Sequence, residues 1–251
     1  IMGMGTNRMN VYTVRKATQG LANEILAGGA DVAKKGVVIA YDSRNNSQKF
    51  AYEAANVLSA NGINVYIFDS LRPTPELSFS VRHLGCARGI VITASHNPKE
   101  YNGYKVYGED GGQIPPAVAD EIIKYIDSID IFHDVKTSEN PKYEVIGKEV
   151  DDAYISAVLE QSMKVKIPEN IRIVYTPLHG SGNKLVRAVL DRIGAKNVFV
   201  VPEQELPDGN FPTVKSPNPE NMEAFDIAIE YAQKQNADLV FGTDPDSDRI
   251  G

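Results

Sequence analysis

The sequence predicts an α/β fold of two successive domains, each a parallel or mixed sheet covered by helices. Three observations carry this. Short apolar runs alternate with segments of helical periodicity, the pattern that builds parallel sheets with helical covers. The order strand, helix, strand, helix, strand, loop occurs twice, as a repeat of elements rather than of letters. The 251 residues exceed the ~100–200 of a typical domain, so two compact domains fit the length as well as one large one.

The elements follow in order. Val37–Tyr41 is short and apolar throughout, which marks a buried strand. Residues 48–61 form a helical pattern, with Phe50, Ala54, Val57 and Leu58 on one face and Gly62 as the stop. Val65–Phe68 is the next strand. Thr74 is placed to cap a helix over 75–84, with Pro75 at its first position. A strand over 89–93 runs into a polar loop holding Ser95, and a helix over 117–126 follows. The stretch 128–148 is polar and without period, which puts a domain boundary near Gly147 and predicts domains over 1–147 and 148–251. The second domain opens with a helix over 149–161. Strands over 171–175, 198–201 and 239–241 then alternate with helices over 184–193, stopped by Gly194, and 222–235. The Pro-rich stretch 206–221 is irregular, and the last strand leads into a loop holding Asp244, Asp246 and Asp248.

Composition narrows the function classes. A net charge of −7, from 33 acidic and 26 basic residues, argues against non-specific nucleic-acid binding, which needs a basic face. No run approaches the roughly 20 apolar residues of a membrane helix. With 42% apolar and 24% charged residues, neither a disordered tail nor a fibre fits. One cysteine, Cys86, excludes an internal disulfide, favours a reducing, cytoplasmic setting and is expected to be buried. The chain opens at Ile1 without a basic-then-apolar leader and stops at Gly251, where another strand is expected; both ends read as cut.

In open α/β sheets ligands bind beyond the carboxyl ends of the strands, where both polar loops lie. Ser95 is a candidate nucleophile. His96 adjoins it, but neighbours in an extended segment point to opposite sides, so His96 is expected to serve poorly as a direct base. No Gly-x-Ser-x-Gly elbow surrounds the serine, and a polar turn with a capping serine is the plainer reading. The three aspartates at 244, 246 and 248 repel one another unless a hard divalent cation sits among them. An EF-hand loop would need glycine where Arg249 stands; a solvated acidic turn is the other alternative. The loop 176–182, between a strand and a helix, can hold an anion on its backbone N–H groups or serve as a tight turn. Arg44, in the corresponding loop of the first half, is a phosphate contact or, more plainly, a surface salt bridge.

Together these loops resemble those of the α-D-phosphohexomutases. The run Thr-Ala-Ser-His-Asn-Pro-Lys-Glu-Tyr-Asn-Gly-Tyr-Lys over 93–105 closely resembles that family's active-site serine loop, and Thr-Asp-Pro-Asp-Ser-Asp-Arg over 243–249 its metal loop. Residues 2–8 and 211–220 look most like the bacterial phosphoglucomutase branch. The resemblance spans essentially the whole chain and implies the first two of four domains. These would be two successive three-layer α/β/α domains with mixed, mostly parallel sheets, domain II being truncated at its C-terminal end and domains III and IV lying outside the chain.

The resemblance also implies roles. Ser95 would bear the phosphoryl group and complete a Mg²⁺ site made by Asp244, Asp246 and Asp248. Arg249, with Asp248 and Asn97, would hold phosphate, and His179 and Arg44 would stand near it. Lys105 would be the general acid/base and His96 its polar neighbour at the transfer site. The implied activity interconverts hexose 1- and 6-phosphates, glucose before mannose or pentose phosphates, with glucose 1,6-bisphosphate as intermediate and activator. The partner is a small sugar phosphate, not nucleic acid or membrane. Because the sugar-reading and distal phosphate loops fall outside the chain, turnover by this stretch alone is not expected. Two other readings stand beside it: a phosphatase with Asp244 as nucleophile, disfavoured by Gly242 and Thr243 intervening after the strand, and a non-catalytic module that binds Mg²⁺ and phosphosugar.

Overall fold

The computed structural model describes residues 1–5 and 7–251, so Thr6 of the 2–8 stretch lies outside the described residues. The chain forms two compact units. The first comprises Ile1–Tyr41, Asn46–Ala94 and Glu100–Gly147; the second comprises Asp42–Asn45, Ser95–Lys99 and Lys148–Gly251.

The first unit contains β1 (Met2–Met4), α1 (Val11–Ala27), α2 (Ala30–Lys35), β2 (Val37–Tyr41), α3 (Ser47–Ala60), β3 (Val65–Phe68), α4 (Thr74–His83), β4 (Arg88–Ile92), β5 (Tyr101–Tyr107), α5 (Pro116–Asp127) and β6 (Glu144–Ile146). Its sheet runs β1-β5-β4-β2-β3-β6. β4, β2, β3 and β6 are parallel; β5 runs antiparallel to β4, and β1 to β5. Alternation along the strands sends Val37, Ile39, Ile67, Ile90 and Ile92 to one face, where they pack with Leu21 and Ile25 of α1, Ala54 and Leu58 of α3 and Ile122 of α5. Helix α4 packs on β2 and β4. There Gly89 admits the helix: a Cβ would lie 2.6 Å from Val81 Cγ2.

Several expectations change here. The sequence reading assigns nothing before Val37, yet α1 is the longest helix among the described residues. Its start is a capping box: Asn10 Oδ1 accepts from the Thr13 N–H at 3.0 Å, and Thr13 Oγ1 from the Asn10 N–H at 3.1 Å. Thr74 does not cap α4. Pro73 holds that position, its carbonyl takes the N–H groups of Glu76 and Leu77, and Thr74 is already helical. The 101–105 stretch, read as part of a loop, is strand β5, and the aperiodic 128–148 stretch contains edge strand β6. Cys86 is buried as expected, and burial pushes its thiol up to about 12.

The second unit contains α6 (Lys148–Glu160), β7 (Arg172–Thr176), α7 (Gly182–Arg192), β8 (Asn197–Val200), the single turn α8 (Pro202–Glu205), α9 (Asp226–Gln235) and β9 (Leu239–Gly242). The helix expected over 222–235 begins as a 3-10 turn, Met222–Phe225. Among the described residues no helix or strand falls within 206–221. The parallel sheet runs β8-β7-β9. Val174, Phe199 and Val240 face α9 through Ala228 and Ala232; Ile173, Val198 and Phe241 face α7 through Val186 and Leu190. This is a three-layer α/β/α arrangement.

The strand order β8-β7-β9 repeats β3-β2-β4, so the repeat of elements is also a repeat of topology. In both units the chain then turns back on its third strand. β5 returns along β4, and Ile250 and Gly251 return along β9, with Thr243 bridging Ile250 and Gly242 and Gly251 exchanging N–H···O bonds of 3.1 Å. The serine and aspartate loops are the two connections at these reversals. No helix among the described residues is long and apolar enough to cross a membrane.

Candidate functional site

The acidic loop follows β9. Asp244 and Asp246 have no exposed surface, Asp248 is exposed, and one carboxylate oxygen from each lies within 4.8 Å of the others. Asp244 organises the loop. Its Oδ1 accepts from the N–H groups of Asp248 and Arg249, each at 3.1 Å, and its carbonyl from that of Ser247 at 3.0 Å. Ser247 adopts the left-handed conformation, φ 55°, that this tight loop requires. Burial, and then the neighbouring Asp246 and Asp248, raise the Asp244 carboxyl well above the usual carboxylate range, while the hydroxyl of Ser95 acts the other way. Charges so placed are costly without a counter-ion. An all-oxygen, closely spaced acidic set suits a hard divalent cation.

The 176–182 loop seats this acidic loop, a use beyond the two readings left open by the sequence. The N–H and Oγ of Ser181 both donate to the Pro245 carbonyl at 2.8 Å. A Cβ on Gly180 would lie 2.5 Å from Pro245 Cα, and one on Gly182 2.7 Å from the hydroxyls of Thr243 and Ser247. His179 is not brought to the acidic cluster. It is 3% exposed, with Nδ1 3.1 Å from the Leu206 carbonyl and Nε2 2.9 Å from Thr213 Oγ1. A carbonyl only accepts, so Nδ1 carries the proton and Nε2 accepts from Thr213, whose oxygen accepts in turn from Gln204 Nε2 at 3.1 Å. Burial lowers the pKa of His179.

Ser95 lies in the same unit as the acidic loop. Its Oγ donates to Asp244 Oδ2 at 2.8 Å and stands 3.1 Å from His96 Nδ1. The expectation that His96 points away from Ser95 is therefore wrong. It assumed an extended segment, whereas Ser95 has φ 53° and the turn brings the neighbouring ring and hydroxyl together. Burial and the charge of Arg249 lower the pKa of His96, with Asp246, Glu220 and Asp248 opposing.

Arg44 is not a surface salt bridge either. It pairs with Asp42 at 3.3 Å, with no exposed surface on either side chain. Its guanidinium donates to the carbonyls of Ser95 at 2.7 Å, Asn97, and Pro98 at 2.9 Å. Asn97 thus meets Arg44 through its backbone. The Pro-rich segment completes the surroundings: Phe211 lies 5.1 Å below the Arg44 guanidinium, Ser216 Oγ donates to the His96 carbonyl at 3.0 Å, and a Cβ on Gly209 would meet the Asn45 nitrogen at 2.4 Å. Asp42, Ser181, Gly209, Phe211 and Ser216 were not singled out from sequence as site residues. Their signal is weak: Ser181, Gly209 and Ser216 act on backbone far along the chain, and Asp42 and Phe211 act through Arg44. Arg249 reaches Glu220 at 2.7 Å through a 40% exposed side chain. Lys105 belongs to the first unit, opposite Val91 on β5.

Comparisons with known proteins bear on the family and the fold. The family models for phosphoglucomutase/phosphomannomutase α/β/α domains I and II match residues 1–131 and 152–251. A phosphoglucomutase of Staphylococcus saprophyticus is 40% identical over 255 aligned residues, covering 99% of the chain and 46% of the relative. One of Staphylococcus aureus is 41% identical, covering 99% and 45%. The chain thus spans about half the length of these curated relatives. A solved structure from Thermus thermophilus, assigned as a phosphomannomutase, superposes with a TM-score of 0.85 at 25% identity, over 100% of this chain and 55% of that one. A Burkholderia thailandensis phosphoglucomutase/phosphomannomutase family protein shares the fold, with a TM-score of 0.78 at 24% identity over 100% and 52%.

Proposed function

The chain belongs to the phosphoglucomutase/phosphomannomutase family, and on that premise we propose that its protein is a phosphohexomutase interconverting hexose 1-phosphate and hexose 6-phosphate, with glucose as the first substrate to test. The observation that carries the proposal is the Ser95 hydroxyl, 2.8 Å from Asp244 in the acidic cluster.

Ser95 Oγ bears the phosphoryl group. The free hydroxyl of a hexose monophosphate attacks phosphorus, the bond to Ser95 Oγ breaks, and glucose 1,6-bisphosphate forms. The bisphosphate turns over and its other phosphoryl group returns to Ser95. Lys105, carried by the 93–105 motif, takes the hydroxyl proton in one half and returns it in the other. Asp244, Asp246 and Asp248 would hold Mg²⁺, which would supply positive charge to offset that of the transferring phosphoryl group. Arg249, the last residue of the 243–249 motif, would exchange its pairing with Glu220 for phosphate, with Asn97 on the serine loop. His96 sets its Nδ1 3.1 Å from the transferring oxygen. His179 and Arg44 serve the loops instead. The substrate is a small sugar phosphate, and the setting proposed is the cytoplasm.

Peptide mapping after incubation with glucose 1,6-bisphosphate and Mg²⁺ tests this. Phosphate on the peptide holding Ser95 is expected. Phosphate on Asp244 would support the phosphatase reading, and Mg²⁺ binding without any phosphorylated residue would support the non-catalytic one.

A further inference from the structure

We propose that Arg44 is a positioning residue for transfer at Ser95: its buried guanidinium gathers the carbonyls of the Ser95 turn and holds the serine hydroxyl at the acidic cluster. The inference rests on the phosphoserine reading above, and gives the loop role of Arg44 a consequence for transfer.

The carbonyls of a tight turn need donors, and a guanidinium offers several in one rigid plane. Nη2 donates to the carbonyls of Ser95 and Asn97, and Nη1 to that of Pro98. These carbonyls converge because the chain bends at Ser95, whose φ of 53° a non-glycine residue adopts only when its surroundings impose it. Releasing the carbonyls would let Ser95 relax toward extended backbone, which swings Oγ away from Asp244. The guanidinium is fixed in its turn. Asp42 Oδ2 lies 3.3 Å from Nε, Asp42 Oδ1 accepts the Arg44 N–H at 2.9 Å, and the Phe211 ring packs beneath. The absence of a Cβ at Gly209 lets the segment carrying Phe211 press onto the backbone of Arg44 and Asn45. The Arg44 side chain has no exposed surface, so it acts through the loop rather than on a substrate. That separates it from Arg249, which is exposed.

The test compares Arg44→Lys and Arg44→Met with wild type in the full protein. It follows phosphorylation of Ser95 from glucose 1,6-bisphosphate with Mg²⁺ over a range of bisphosphate concentrations, with circular dichroism to fix the folded fraction. Misplacing a reacting group by an ångström can cost about 100-fold. Per folded molecule, Arg44→Met is expected to lower the maximal rate by about that factor, and Arg44→Lys, which keeps the charge but not the planar fork, by about tenfold. The half-saturating concentration should stay within about threefold of wild type. Hydrogen exchange at the amides of residues 96, 97 and 99 should quicken in both variants, with the β7 and β2 amides unchanged.

A folded Arg44→Lys protein with the wild-type maximal rate overturns the proposal, as does a loss confined to half-saturation, or unchanged exchange at the serine turn. Absence of phosphate on wild-type Ser95 overturns the phosphoserine reading and the transfer role together; phosphate on wild type with an unaffected Arg44→Lys overturns the positioning role by itself.

Discussion

The hydroxyl of Ser95 donates to Asp244 Oδ2 at 2.8 Å, joining residues 149 positions apart in the chain. The acceptor belongs to a buried carboxyl whose pKa is raised by desolvation and by two neighbouring aspartates. A phosphoryl group on that oxygen would add about −1.5 to −2 charges to the cluster, which only a cation and a nearby arginine can offset. The same contact therefore links the proposed nucleophile to the charge that must be neutralised.

Ser95→Ala is expected to abolish phosphoryl incorporation and mutase turnover, with the fold intact. It removes the hydroxyl's contacts with Asp244 and His96, each worth only about 1 kcal/mol. A coupled assay that retains more than about 5% of wild-type turnover, with normal circular dichroism, would exclude Ser95 as the obligatory nucleophile.

Asp246→Asn should act in opposite directions with and without metal. Mg²⁺ affinity by calorimetric titration should fall at least about tenfold, because a hard cation loses a carboxylate ligand. In metal-free buffer the variant should melt no lower than wild type, because a buried like-charge repulsion beside Asp244 is removed. Unchanged affinity would make the loop a solvated turn.

Gly180→Ala is expected to destabilise the second unit by about 1–3 kcal/mol, the usual cost of overpacking. The new Cβ would stand 2.5 Å from backbone of Pro245, which has no side-chain freedom with which to yield. Denaturant melts monitored on the chain measure the loss, and Mg²⁺ affinity should fall with it.

The buried ring of His179 gives stability a pH dependence. Its folded pKa is lowered, chiefly by burial, so the folded state prefers the neutral ring. That contribution is fully present above the unfolded value of about 6.5 and is lost as pH falls through it toward the lower folded value. Wild type should therefore lose melting temperature between about pH 7 and 5.5 more steeply than His179→Gln. Parallel curves would mean that the ring titrates alike in both states.

The sequence by itself determined the elements whose signals are local. Val37–Tyr41 and Val65–Phe68 match to the residue, since an apolar run this short, rich in β-branched and aromatic residues and flanked by Gly36 and Asp42 or Asn64 and Asp69, favours a strand over a helix. The repeat order and the alternating aspartates were equally plain. Helix α1 was missed because its buried face includes Ala17, Thr18, Gln19 and Gly20, which dilute the apolar period. Strand β5 was missed because Asn102, Gly103 and Lys105 interrupt its β-forming residues, and only antiparallel pairing with β4 makes it a strand. The tertiary structure alone decided the geometry of the candidate site. The left-handed turn at Ser95, the meeting of Ser95 with His96, the burial of Arg44 and the seat of Pro245 on Ser181 each depend on groups far along the chain. A backbone conformation that costs free energy locally, or a charge without water, persists only where distant groups supply its hydrogen bonds and counter-charges, and no local pattern of residues records that supply.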